Sequence, residues 1–141
     1  MTKNKKILAI DFGSKYIGLA VGFPSSGIVL PKGHIQNNLH AIAAIKEVIQ
    51  QNDIAEVVLG RPLYPSGESS PQEKQTLDFY HLLKKEMTIP ITLVDERLTT
   101  KIAQQTMKSF DFSAKKRKEL KDEFSAQLIL EYYLKTIPNE Q

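Results

Sequence analysis

Asp11, Glu96 and Asp122 are the side chains around which chemistry could be built in this chain. Asp11 closes the apolar run ILAID shortly before Gly13, a residue that lets the backbone turn with little obstruction. Glu96 sits in ITLVDERLTT, where Asp95, Glu96 and Arg97 follow an apolar run. Alternation along a strand sends Ile91, Leu93 and Asp95 to one face and Thr92, Val94 and Glu96 to the other. Asp122 falls on a helical stripe with Ala126, Ile129 and Tyr133, so an acid interrupts an otherwise apolar face. A carboxylate there needs compensation, from a lysine such as Lys118 or Lys121 or from a bound cation, and Glu123 is the next position round. Each acid also has an ordinary explanation, Asp11 as a turn former and Asp95-Glu96-Arg97 as a strand-end ion pair. Converging together, they would repel one another strongly without a divalent ion. Mg²⁺ or Mn²⁺ held by Asp11, Glu96 and Asp122 would suit phosphodiester hydrolysis, with Asp95 as a supporting acid paired with Arg97 or a helix lysine.

The elements that must bring these residues together can be read from the pattern. KILAIDFG, YIGLAVG and GIVLPKG form three short strands separated by turn signals, an antiparallel meander. From Asn38, Ile42, Ile45 and Ile49 recur at helical spacing, and AEVVLG follows as a strand, which implies a parallel crossover. Ser70-Pro71-Gln72-Glu73 opens a helix with a capping box and a proline in its first turn, running to about Met87. IPITLVDE is the fifth strand, Thr99 or Thr100 caps a helix carrying Ile102 and Met107, and a final helix runs from about Ser113 to Ile137. The predicted fold is α/β and RNase H-like: a five-stranded mixed sheet, the meander plus two parallel strands, flanked by helices.

Composition narrows the class. The 141 residues suit one domain, 1–141, and 41% hydrophobic with 25% charged residues is the make-up of an ordinary globule. No apolar run approaches the roughly 20 residues of a membrane helix, and MTKNKKILAID has only a short apolar stretch, so a cytoplasmic protein is expected. With no cysteine and three scattered histidines, a metal would have to be held by oxygen. The net charge of +3 is a weak pointer to nucleic acid. Between Lys101 and Lys121, however, seven basic residues face two acidic ones, and Lys116 and Arg117 are candidates for gripping phosphates.

AIDFGSKYIGLAVG, GRPLYPSG, VDERLTT and DEFSAQLILEYYL, in that order, resemble the YqgF family of RNase H-like proteins, linked to pre-16S rRNA nuclease activity and to Holliday junction resolution. The resemblance spans nearly the whole chain and carries the family's functional acids onto Asp11, Glu96 and Asp122. It implies a metal-dependent endonuclease, most directly one that processes the 5′ end of pre-16S rRNA. Three places depart from the family pattern: Tyr16 stands for an arginine, Arg61 and Ser69-Ser70 replace parts of Gly-Leu-Pro-Leu and the glycine-rich stretch after it, and Ser125 replaces an alanine. Lys15 and Arg61 are expected to restore positive charge lost at Tyr16, and with Arg97, Lys116 and Arg117 they make up the expected substrate-binding set.

Two other classes compete. DFGS at a first hairpin also resembles the phosphate loop of actin-like kinases, but 141 residues cannot supply their two domains. A non-catalytic nucleic-acid-binding module is compatible with the basic segment. The pattern shows no aromatic platform selecting RNA, and a monomer and a homodimer fit it equally.

Overall fold

A computed structural model of the chain describes residues 5–62, 66–95 and 114–136, the side chains of the last segment from residue 125 onward. Its elements are β1 (Lys6–Phe12), β2 (Tyr16–Phe23), β3 (Ile28–Gln36), α1 (Ala41–Gln51), β4 (Ile54–Arg61), α2 (Pro71–Glu86), β5 (Ile91–Asp95) and α3 (Ala114–Thr136). The strands lie in the order β3-β2-β1-β4-β5. β1, β2 and β3 pair antiparallel, whereas β4 pairs parallel with β1 and β5 parallel with β4. This is the mixed sheet that the hydrophobic pattern predicts. The helix expected after Thr99 or Thr100 lies outside the described residues.

Strand alternation divides the core into two layers. Leu8 and Ile10 of β1, Ile17 and Leu19 of β2, and Val57 and Leu59 of β4 face α1 and α2, where they meet Ile45, Phe79 and Leu83. Ile7 and Ala9, Ala20, Val58 and Val94 face the other way and meet Ala126, Ile129 and Leu130 of α3. These helix residues repeat at three- and four-residue spacing, so one stripe of α3 is buried against the sheet.

Two contacts fix the direction of α3. A Cβ on Gly22 would lie 2.8 Å from Leu130 Cδ2, so the bare glycine is the seat for a fully buried leucine. Gly22 pairs with Ile7, at the beginning of β1. One turn further along α3, the Tyr133 hydroxyl donates to Glu56, near the beginning of β4. The C-terminal part of α3 therefore covers the start of β1 and β4, and the helix runs back toward the end of β1 that carries Asp11.

Glu56 is 7% exposed, yet it is fully provided for. Besides Tyr133 it receives Thr92 Oγ1 at 3.2 Å and lies 3.0 Å from Lys5 Nζ. Burial pushes its pKa up, but the hydrogen bonds from Tyr133, Lys5 and Thr92 and the lysine charge outweigh that and hold it below the usual glutamate value. Tyr133 is shifted upward, by burial first and by the neighbouring carboxylate second. A depressed carboxylate contributes stability that is full above its unfolded pKa and is lost as pH falls through the folded one. A raised tyrosine contributes below its unfolded pKa, so both act together around neutrality. Tyr133→Phe is expected to lower unfolding free energy at neutral pH by about 1.5 to 3 kcal/mol, the usual worth of a hydrogen bond to a charged group. Urea melts of both proteins at neutral pH and in acid provide the check, and the difference should shrink as Glu56 protonates. A difference that persisted undiminished in acid would contradict this account.

Candidate active site

Asp11 follows Ile7 and Ala9 in the alternation of β1 and so belongs to the α3 side of the sheet. Its neighbour Phe12 points to the other layer, against Phe79 of α2 with ring centroids 4.7 Å apart. That packing holds the end of the strand in phase and keeps Asp11, half-buried, on its face. In register, Asp11 pairs with Gly18 of β2.

The turn after Asp11 has no room to vary. A Cβ on Gly13 would stand 2.4 Å from the carbonyl oxygen of Tyr16, a backbone atom that cannot move aside. Asn37, just beyond β3, braces the same turn: its Nδ2 donates to the Gly13 carbonyl at 2.8 Å and its backbone N–H to that of Lys15 at 3.0 Å. Lys15 and Tyr16 are thereby held exposed beside the Asp11 end of β1. Asn37 carried no signal in the sequence, because no spacing rule joins a residue to a turn 24 positions away.

Arg61 belongs to the opposite side. It follows Val57 and Leu59 in the alternation of β4, and its Nε donates to Glu73 of α2. Ser70 caps α2 as expected, its Oγ accepting from the Glu73 N–H at 3.2 Å and donating to the Pro62 carbonyl at 2.7 Å. The Glu73 carboxylate turns to Ser69 and Arg61, and those hydrogen bonds, Ser69 first, hold its pKa below the usual value. Two of the departures seen in the sequence, Arg61 and Ser69, thus meet on one carboxylate. Asp95 is the register partner of Arg61 and, following Ile91 and Leu93, shares its face.

Glu96 and Arg97 lie outside the described residues, as do the side chains of Lys116, Arg117 and Asp122. Among the described residues no three of His, Cys, Asp and Glu gather closely enough to hold a metal ion. The described donor among the expected ligands, Asp11 at the end of β1, is a carboxylate, an oxygen ligand that suits Mg²⁺ or Mn²⁺ in kind.

The family model RuvX, described as Holliday junction resolvase, matches residues 5–136. The chain belongs to the RuvX/YqgF family. A Koribacter versatilis member named "Putative pre-16S rRNA nuclease" is 39% identical over 92% of this chain and 86% of its own length. A member of the same name from Clostridium acetobutylicum is 36% identical over 94% of this chain and 99% of its own. Among solved structures, the Fowlpox virus resolvase, in a complex with Holliday junction DNA, superposes with a TM-score of 0.53 at 14% identity, over 95% of this chain and 99% of that one. T. thermophilus RuvC, in complex with a Holliday junction substrate, gives 0.50 at 13% identity, over 71% and 69%. These likenesses establish an RNase H-like fold, as the strand order predicts. In this RuvX/YqgF chain Arg61 has a structural duty whatever else it does. Arg61→Gln should lower the melting temperature, because the buried Glu73 carboxylate then loses its charged partner and keeps the Ser69 hydroxyl, and pairing it with Glu73→Gln should recover part of the loss. Thermal denaturation of the two variants decides this, and an unchanged melting temperature in Arg61→Gln would show that the ion pair carries no stability.

Proposed function

We propose that this RuvX/YqgF protein is a divalent-metal-dependent endonuclease that hydrolyses phosphodiester bonds in structured nucleic acid, and that its substrate is the 5′ end of pre-16S rRNA. Nuclease activity follows from the family and from relatives named for it. The observation that carries the site is the antiparallel run of α3 over β1. From Leu130, seated on Gly22 at the level of Ile7, position 122 is eight residues back, about 12 Å along a helix. From Ile7, Asp11 is four residues on, about 13 Å along a strand. The two lengths agree, which supports Asp11 and Asp122 as members of one site. Val94 is on the α3 side, and Glu96 is two residues later in the same alternation, which supports it as the third.

In this reading Asp11, Glu96 and Asp122 would hold Mg²⁺ or Mn²⁺, which when bound would supply charge to acidify a water and neutralise the leaving oxyanion. The chain's own part is to orient the scissile phosphate and to neutralise its neighbours. Lys15 is offered by the braced turn. Arg61, on the other face but at the same carboxyl end of the sheet, contributes a partly exposed guanidinium steadied by Glu73, and Arg97, Lys116 and Arg117 complete the set. The protein would act in the cytoplasm as one domain, 1–141, as a monomer or homodimer; among the described residues no helix is long and apolar enough to cross a membrane. The family description favours one second reading, resolution of four-way DNA junctions.

Both substrates, a 5′-extended 16S precursor fragment and a four-way junction, should be incubated with the protein in Mg²⁺ and in EDTA. Cleavage of the precursor is expected in Mg²⁺ alone, and Asp11→Asn should reduce it by about 100-fold or more. Cleavage of the junction only would make the protein a resolvase, and binding without cleavage of either would make it a non-catalytic module. Asp122→Asn should also abolish cleavage while leaving the metal-free melting temperature unchanged or raised, since it relieves repulsion among acids. A loss of about 3 to 5 kcal/mol would instead reveal Asp122 as the partner of a buried lysine.

A further inference from the structure

β3 is longer than GIVLPKG suggests, and the reason is a bulge that rearranges one face of the sheet. Ala20 pairs with Pro31, but Gly18 pairs with His34, so Lys32 and Gly33 together oppose Leu19. Gly33 has φ 74°, a left-handed value that glycine adopts at little cost. Without the extra residue, His34 would face Ile17 and lie on the α1 and α2 side. With it, Ile35 faces Ile17 and packs on the core, while His34 comes to the face of Gly18 and Tyr16. There the Tyr16 and His34 rings meet edge to face, centroids 4.7 Å apart, both exposed and Tyr16 at 47%.

This pair is aligned with the candidate catalytic acid. Gly18 is the register partner of both Asp11 and His34, so the three form one row across β1, β2 and β3, on one face. Two strand spacings put His34 about 10 Å from Asp11, close to the reach of one or two nucleotides. The surroundings suit a polyanion: Lys15 precedes Tyr16, Lys32 stands in the bulge, and no Asp or Glu occurs from Phe12 through Lys46. Exposed aromatic rings flanked by cations are what unpaired bases stack upon while the backbone is held.

We infer that Tyr16 and His34 form a stacking platform for an unpaired nucleobase next to the scissile phosphate, which would direct this nuclease to single-stranded segments of structured nucleic acid. The inference rests on the nuclease reading. Its test measures binding in EDTA, by fluorescence anisotropy, of an RNA hairpin with a single-stranded flank containing 2-aminopurine, and of a blunt RNA duplex of the same length. A DNA hairpin with the same flank provides a parallel arm. The wild-type protein should quench 2-aminopurine in the flank, Tyr16→Ala should weaken binding of the flanked hairpins by about tenfold and abolish the quench, and Tyr16→Phe should stay near wild type. Duplex affinity should not change. His34→Ala should weaken flank binding in the same sense, and it supplies the readout if Tyr16→Ala does not fold. Unchanged flank affinity and quench in the folded variants, or an equal loss on blunt duplex, would overturn the platform. If the wild-type protein cleaves the precursor in Mg²⁺ while these variants bind normally, the platform alone falls; if the wild type neither binds nor cleaves, the nuclease reading falls and takes the platform with it.

Discussion

The seating of α3 on the sheet is the constraint from which the rest follows. Leu130 closes onto Gly22, where any larger residue would collide, and Tyr133 binds a buried carboxylate at the start of β4. A fully buried leucine contributes roughly 1.5 to 3 kcal/mol, while the Tyr133–Glu56 bond adds direction, because a buried charge left without its donor is costly. Apolar packing alone would tolerate a helix shifted by a turn. A glycine seat under Leu130 and a hydrogen bond three residues on, at Tyr133, do not, so the height of α3 above β1 is set.

The charges are sorted by face and by end. Glu56, with Lys5, Thr92 and Tyr133, closes the end of the sheet away from Asp11. Glu73 occupies the α2 side with Ser69 and Arg61, in register beside Asp95. Asp11 stands on the α3 side, at the carboxyl end of β1. Ligands of open α/β sheets gather at carboxyl strand ends, and here Glu56 lies at the opposite end and Glu73 on the opposite face, where both serve the fold. Burial of an acid is thus a poor guide to function in this protein, since Glu56 and Glu73 are the most buried acids described and each is held by ordinary donors.

The sequence was most legible where periodicity is local. Strand alternation in β5 and the helical spacing of Ala126 and Ile129 in α3 announced their faces correctly, and Ser70 announced the start of α2. The capping box was only half right, because Glu73 found stronger partners in Ser69 and Arg61 than the backbone N–H of its own cap. The end of β3 was missed, because a bulge changes which residues face each other without changing their order. Glu96, Asp122 and the basic segment were read from the sequence alone, and only Asp11 of the expected ligands is described with its side chain.

What the sequence by itself determined is the described elements, their order and the family, since these depend on residue type and on spacings of two or three to four positions. Tertiary structure alone decided which faces confront one another. It joined Asn37 to the Asp11 turn, Arg61 to Glu73, Tyr133 to Glu56 and Tyr16 to His34, all pairs whose separation along the chain follows no period. The reason is physical: a hydrogen bond or ring contact acts over a few ångströms, and only the register of the sheet and the seat of α3 convert sequence distance into such proximity.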